Sequence, residues 1–550
     1  MAKNIGRLEL TWTNKHLTLL AEAEGGYRWV DPADVRVSEV RLLDEEDTVG
    51  DVDASGDAET DNLLICGDSL AALRSLRHLP TFKSQYAGKI KLVYIDPPFN
   101  TGQAFENYDD ALEHSVWLTM IRDRIVEIKH LLAPDASIWV HLDDAEQHRA
   151  RLILDEIFGE RAFVTTVVWQ KRTTRESRSA FSSAHDVIHV YAPLGPERWK
   201  AVRNRVARSA QDYKNPDDDP RGPWRDGGPF TAPGYRENQR YVIVNEAGTE
   251  LIPTKRTRSW FATEPVYKEM RAEGRIFFTK GGAGQPRMKE YKVEEKGLVP
   301  FTFWQDDQDI NEEGNGLVLQ ASDVGANDDA KRHSQAMFEE EFSTPKPERL
   351  MERIIHIATS PGNIVLDCFA GSGTTAAVAH KMGRQWVTIE RERSTVDSYT
   401  RPRLEMVVAG NDQGGISESV GWTGGGSFRN LSLGESMYEV GDDGEVFLSE
   451  SVTNGRFASA VCAQLGFEAV DEPPFCGRKG RTLLAVFDGA VGLPEARYLL
   501  GGLGEKERLM LVAKAVDSEV ELLMSEVSPG SRVKKAPRDL IRAGAKRVVR

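Results

Sequence analysis

The sequence predicts an α/β fold: a doubly wound, mostly parallel sheet covered by helices, interrupted by one long insertion and completed after it. Three observations predict it. From Leu63 onward, short aliphatic runs alternate with segments of 3.6-residue apolar spacing. Between about 195 and 340 this alternation gives way to Gly, Pro, Arg and aromatic residues, and from about 347 it resumes.

In chain order, residues 1–43 make a short N-terminal module. Residues 44–61, DEEDTVGDVDASGDAETD, are acidic and almost free of large apolar side chains, so they are expected to form a mobile linker. The first part of the core, 62–195, carries expected strands at 63–66, 91–96, 137–142, 163–169 and 187–192, with amphipathic helices at 114–132 and 145–159. An irregular insertion follows over 196–340. The second part of the core, 341–410, has a helix over 347–359, a strand over 363–369, a helix from Thr374 and a strand over 385–390. A Gly-rich connection, 411–429, leads to a C-terminal α+β domain, 430–550, and no internal repeat is visible.

At 550 residues, 40% hydrophobic and 28% charged, the chain can bury several cores. No apolar run is long enough to cross a membrane and the N-terminus lacks a secretory signal, so a cytoplasmic protein without membrane attachment is expected. The four cysteines, Cys66, Cys368, Cys462 and Cys476, lack paired short spacing, which points to neither a disulfide framework nor a metal site. The net charge of −15 argues against a uniform nucleic-acid binder, but residues 161–300 hold 26 Lys and Arg against 17 Asp and Glu. A local basic surface is what phosphate contact needs. Within it, 198–214 and 254–261 interleave basic and aromatic side chains, so Arg203, Arg205, Lys255, Arg256 and Arg258 are candidate DNA contacts, with Lys171 and Arg172 after the strand ending in Trp169.

Two constellations carry chemistry. Asp367, Phe369, Ala370, Gly371, Ser372, Gly373, Thr374 and Thr375 form a strand end, a glycine turn and a helix start, where the backbone can approach a ligand and free amides face it. Glu390 ends the next strand, where a carboxylate can accept both ribose hydroxyls. Together they suit an adenosine-containing cofactor; the Lys of a phosphate-binding loop is absent, and a nicotinamide-dependent oxidoreductase stays open. The second constellation is Asp96-Pro97-Pro98-Phe99, also at a strand end. Asp96 and the carbonyl of Pro97 offer two acceptors for an exocyclic NH2, the two prolines stiffen the turn, and Phe99 can stack on a base.

Asp96 to Phe99 resembles the catalytic motif of DNA amino-methyltransferases, and Asp367 to Thr375 resembles their cofactor motif. Catalytic motif first and cofactor motif later is similar to the permuted β class of these enzymes. The resemblance implies a Rossmann-like S-adenosylmethionine-dependent fold with an inserted target-recognition domain. It also implies that Thr344, Lys346 and Pro347 pack against the methionine end of the cofactor and that Asp68 lies near its adenine, where a helix N-cap is the competing role. Aspartate at 96 speaks for adenine N6, with cytosine N4 as the alternative; no Pro-Cys pair supports C5 chemistry. Length, insertion, VGANDDAKRH at 324–333 and the Gly-rich stretch near 425 resemble Type III modification subunits. That resemblance implies double-stranded DNA as substrate, a homodimer and a separate restriction subunit. A non-catalytic DNA-specificity protein and an RNA target remain rival readings.

Overall fold

The structure is a computed structural model and describes residues 9–22, 26–50, 62–100, 104–105, 108–109, 113–172, 174, 180–206, 213–253, 255–294, 297–304, 324–338, 340, 342–441, 445–450 and 453–540. The chain separates into two units, one of Met1–Asn204, Phe301–Glu312 and Asp323–Arg550, the other of Arg205–Pro300 and Glu313–Ser322.

The larger unit opens with a hairpin of β1 (Thr18–Ala21) and β2 (Tyr27–Val30). The main sheet takes β3 (Leu43–Gly50), β4 (Asn62–Cys66) and, after helix α1 (Ser69–His78), β5 (Ile90–Ile95). Helix α2 (His114–Leu131) leads to β6 (Leu132–Leu142), and helix α3 (Gln147–Phe158) to the antiparallel pair β7 (Phe163–Gln170) and β8 (His185–Tyr191). After the second unit the chain adds β9 (Phe303–Trp304), helix α4 (Asn327–Met337) and helix α5 (Glu348–Ala358). It then inserts β10 (Ile364–Asp367), helix α6 (Thr374–Lys381) and β11 (Gln385–Glu390), followed by helix α7 (Arg401–Val408) and β12 (Ser427–Leu433).

The strand order is β9-β7-β8-β6-β5-β10-β11-β4-β12-β3. The six strands from β6 to β12 in that order run parallel, as expected of strands joined by helical crossovers. Their residues are buried almost without alternation: Leu63, Leu64 and Ile65 of β4 and Leu92, Val93 and Ile95 of β5 are inaccessible to solvent, because helices cover both faces. On α2 the buried stripe runs through Trp117, Ile121, Arg124, Ile125, Ile128 and Leu131. The interrupted and later completed sheet is thus present, with β10 and β11 seated between β5 and β4.

Two expectations need correction. Residues 44–50 are no linker: they belong to β3, the antiparallel edge strand beside β12. Arginines brought from distant positions neutralise its acidic run, Arg456 at Asp44, Arg429 at Glu45, Arg393 at Glu46 and Arg401 at Asp47. An exposed edge strand tolerates charge that a central strand would not. The remaining linker positions, 51–61, lie outside the described residues. The boundary at 429/430 likewise falls inside β12, because its partners β4 and β3 lie far upstream.

Beyond β12 a five-stranded sheet of β13 (Glu468–Glu472), β14 (Phe475–Lys479), β15 (Thr482–Val491), β16 (Arg508–Val516) and β17 (Arg532–Lys535) packs with helices α8 (Asn454–Leu465), α9 (Leu493–Gly501) and α10 (Ser518–Val527). Here Cys462 and Cys476, 14 residues apart, bring their sulfurs to 4.0 Å as free thiols.

The second unit is built of short ladders around Phe230, Ile243, Trp260, Tyr267, Ile276 and Phe278. It is shorter than the 196–340 expected: the helix Pro196–Val202, β9 and α4 belong to the larger unit. Among the described residues no helix is long and apolar enough to cross a membrane.

Candidate active site

Strands β5 and β10 are adjacent and parallel, with Val365 opposite Leu92 and Leu366 opposite Val93. The chain therefore leaves both strands at the same edge of the sheet, and the loop after Ile95 meets the turn after Asp367. Tyr94, Asp96 and Pro98 share one cavity with Asp367, Phe369, Ala370, Gly371, Ser372, Thr374, Thr375 and Glu390, and with Thr344 and Lys346 from the segment before α5. Such a crevice at the carboxyl ends of parallel strands is where α/β sheets bind ligands.

The loop 96–100 is fixed from several sides. Lys346 Nζ donates to Asp96 Oδ2 at 2.5 Å and lies 5.0 Å from the centre of the Phe99 ring. The indole of Trp117 on α2 donates to the Pro98 carbonyl at 2.6 Å. Asn100, in the left-handed region at φ 61°, donates to the fully buried Glu146 at 2.8 Å. Phe99 rests 6.0 Å from the imidazole of His141, and Pro97 is buried without lining the cavity. One atom is left over: Asp96 Oδ1 is buried and has no hydrogen-bond partner among the described residues.

The glycine turn faces this loop. Gly371 and Gly373 take φ of 51° and 77°, and Gly373 caps α6. A Cβ on Gly371 would fall 3.2 Å from the Phe342 ring, a tight contact that adds to the preference for glycine set by its backbone angle. Glu390 is held by the amides of Gly371 (2.9 Å) and Glu392 (3.0 Å), one on each of its oxygens. Burial raises its pKa. Burial also pushes Asp367 up to about 7, despite hydrogen bonds from Thr375 and the Phe369 amide. A cation placed beside such a buried carboxyl would favour its ionised form.

Other expected residues take supporting places. Gly373 and Pro347 do not line the cavity, and Pro347 is the cap residue just before α5. Asp68 caps α1 through the Leu70 and Ala71 amides and pairs with Arg124 at 2.7 Å, so its competing N-cap role is the one observed. Lys171 is no free surface cation, because its ammonium sits 2.6 Å from buried Asp186. Lys255 and Arg256 are exposed, whereas Arg258 is half-buried and donates to the Thr231 carbonyl. Arg203 donates to the Asn204 carbonyl and Arg205 to that of Gly297, and Arg172 also has partners.

Met120, Arg124, Phe342, Arg391 and Tyr27 also line the cavity and were missed in the sequence. Arg124 carried a signal: it sits one helical turn after Met120 on the apolar stripe of α2, where a charge needs a reason. The segment 324–333 has a packing reason. The Gly325 carbonyl accepts from Trp169 Nε1 at 3.2 Å, and a Cβ on Gly325 would meet Pro347 at 3.0 Å.

Two buried networks underlie the site. Tyr94 OH lies 2.8 Å from His141 Nδ1, His141 Nε2 lies 3.2 Å from Asp186 Oδ2, and Lys171 closes the chain. Behind the glycine turn, Lys381 Nζ touches Glu348 (2.8 Å) and Asp412 (2.6 Å), while Arg403 bonds Glu348 and Thr374, and His333 bonds Asp412. His333, Glu348 and Asp412 have metal-ligand spacing, but the Lys381 ammonium bridges both carboxylates and Arg403 pairs with Glu348 as well.

Residues 90–401 match the model of a family described as DNA methylase. The chain is 30% identical over 443 residues to the probable type III restriction-modification enzyme HindVI Mod subunit of Haemophilus influenzae, covering 71% of this chain and 56% of that one. It is 29% identical to the type III restriction-modification enzyme StyLTI Mod subunit of Salmonella typhimurium (63% and 57% covered) and 26% identical to the type II methyltransferase M.EcaI of Enterobacter cloacae (55% and 62%). The chain thus spans little more than half the length of the first two relatives.

Proposed function

Because the chain belongs to the DNA methylase family, we propose that it transfers a methyl group from S-adenosylmethionine to adenine N6 in double-stranded DNA, as the modification subunit of a Type III restriction-modification system. The observation that carries the reading is the unpartnered acceptor of Asp96 in the cavity that also holds the glycine turn and Glu390.

The pocket fits the donor by its own chemistry. Glu390 offers lone pairs to a ribose, the Gly371 turn admits a ligand close to the backbone, and Asp367 is a buried acid waiting for an ammonium. S-adenosylmethionine supplies a methyl on a cationic sulfur. The chain's part is to orient the amine. Asp96 Oδ1 accepts an N6 hydrogen, which draws the nitrogen lone pair out of the ring for attack on the methyl. Lys346 on Oδ2 keeps the carboxylate in place, so the acceptor needs no reorganisation during the reaction. The target base has to leave the duplex to reach this depth.

The second unit and the exposed Lys255 and Arg256 support a role in target recognition, and the system implies a homodimer with a separate restriction subunit, working in the cytoplasm. Incubation with DNA and methyl-labelled S-adenosylmethionine, followed by nucleoside analysis, tests the reading. N6-methyladenine is the expected product. N4-methylcytosine, label in RNA only, or cofactor binding without turnover would each replace it with a rival.

A further inference from the structure

The N-terminal hairpin is bolted to α2. Thr18 Oγ1 donates to Asp123 at 2.5 Å, Arg122 reaches the Leu17 carbonyl at 2.7 Å, and Trp12 Nε1 donates to Thr119 at 2.8 Å. This anchoring matters because the neighbouring positions Met120 and Arg124 of α2 line the cavity, and the hairpin delivers Gly26 and Tyr27 to the same place.

Tyr27 is half-buried there among cations. The Arg391 guanidinium stands 4.9 Å from its ring centre and reaches toward the Gly26 carbonyl at 3.4 Å. Arg124, almost fully buried, lies 6.0 Å from the same ring and 5.8 Å from that of Phe369. Arg391 directly follows Glu390, the acid assigned to the ribose, whereas Asp96, Lys346 and Thr344 belong to the part of the cavity where the methyl is delivered. Tyr27 and Phe369 therefore both line the cavity on the side of Arg124 and Arg391, beyond the ribose, where a purine ring would lie.

We infer that Tyr27 is a cofactor-binding residue: the N-terminal hairpin supplies an aromatic wall for the adenine of S-adenosylmethionine, held in position by Arg391 and Arg124. The inference rests on the proposed cofactor and gives the N-terminal module a purpose in the reaction. An aromatic wall at the base end contributes stacking that is indifferent to the amino-acid end of the ligand. Its loss should weaken every adenosine-containing ligand alike.

Calorimetric titration of the full chain with S-adenosylmethionine and with 5′-methylthioadenosine, which lacks the amino-acid end, tests this. Tyr27→Ala is expected to weaken both ligands by about tenfold, and Tyr27→Phe to stay within about twofold of wild type. Tyr27→Leu, which keeps apolar volume without the aromatic face, guards against a folding defect and should also lose about tenfold. Wild-type affinity in both Tyr27→Ala and Tyr27→Leu would overturn the inference and leave the proposed function standing. So would a loss confined to S-adenosylmethionine, which would place Tyr27 at the wrong end. Failure of the wild-type chain to bind S-adenosylmethionine would overturn both readings.

Discussion

Lys346 Nζ sits 2.5 Å from Asp96 Oδ2, joining two residues 250 positions apart in a single ion pair inside the cavity. The resemblance placed Lys346 at the methionine end of the cofactor, and the structure puts its ammonium on the acid of the other motif. Lys346 thus couples the cofactor segment to the loop that would hold the base. Asp96→Asn keeps a carbonyl acceptor but brings an NH2 that competes for the same space, so kcat should fall by about 10²- to 10³-fold with cofactor affinity near wild type. Lys346→Met removes the charge that orients the carboxylate and should lower kcat in the same direction. Single-turnover methylation alongside cofactor titration separates the two effects; unchanged kcat in Asp96→Asn would remove Asp96 from the chemistry.

Asp367 gives the site a pH dependence. Its pKa is raised by burial from the ordinary aspartate value of 3.8 to about 7. A raised acid stabilises the ligand-free fold in its protonated form, so this contribution is complete below about pH 4 and is lost as pH rises through 7. Cofactor binding runs the other way, because an ammonium pairs with the ionised form. Affinity for S-adenosylmethionine should therefore rise several-fold between pH 6 and pH 8, while the thermal midpoint of the free protein declines over the same interval. Asp367→Asn should flatten both curves, and a wild-type affinity independent of pH across this range would contradict the assignment.

How much of this was legible in the sequence depends on whether the reason was local. The strands around Leu92, Val365 and Val387 were readable because buried parallel strands are runs of aliphatic residues, and Asp96 and Gly371 were readable because strand-end turns have distinctive composition. Strand β3 was not, since a sequence of DEED reads as solvated chain until Arg393, Arg401, Arg429 and Arg456 are placed beside it. The pairing of Lys171 was not legible for the converse reason: its partner Asp186 lies across a hairpin, so it has no signature in the order of residues. Tyr27 depends on an anchor to α2 about a hundred residues away.

The buried cluster behind the glycine turn should behave as a structural clasp. Glu348 and Lys381 have no exposed side-chain surface, and Asp412 almost none. Removing one charge from such a cluster leaves its partners desolvated and uncompensated. Lys381→Met should cost about 3–5 kcal/mol in urea unfolding. Because the ammonium already bonds the two carboxylates of that set, added zinc or a chelator should leave the wild-type midpoint unchanged. A metal-dependent rise in stability would mean that Lys381 gives way to an ion.

The chain from Tyr94 to Lys171 ties the floor of the cavity to the sheet, and its energetics can be read from Asp186. With a carboxylate on one side and a phenol on the other, His141 donates from Nε2 to Asp186 and accepts the Tyr94 proton at Nδ1. Burial alone would raise the Asp186 pKa, but the hydrogen bond from His141 and the Lys171 ammonium bring it down from 3.8 to about 2. A depressed acid contributes stability above its unfolded value and loses it as pH falls, here between about pH 4 and pH 2, for a total of about 2 kcal/mol. Asp186→Asn should abolish that acid-sensitive component and leave Lys171 without its counter-charge. His141→Phe keeps the ring beneath Phe99 but strands the Tyr94 hydroxyl, at a cost of about 1–3 kcal/mol. Since Phe99 and Asp96 belong to one rigid loop, His141→Phe should also reduce kcat more than it weakens cofactor binding. If it lowered stability alone, with methylation kinetics intact, the network would be a fold element without influence on the loop above it.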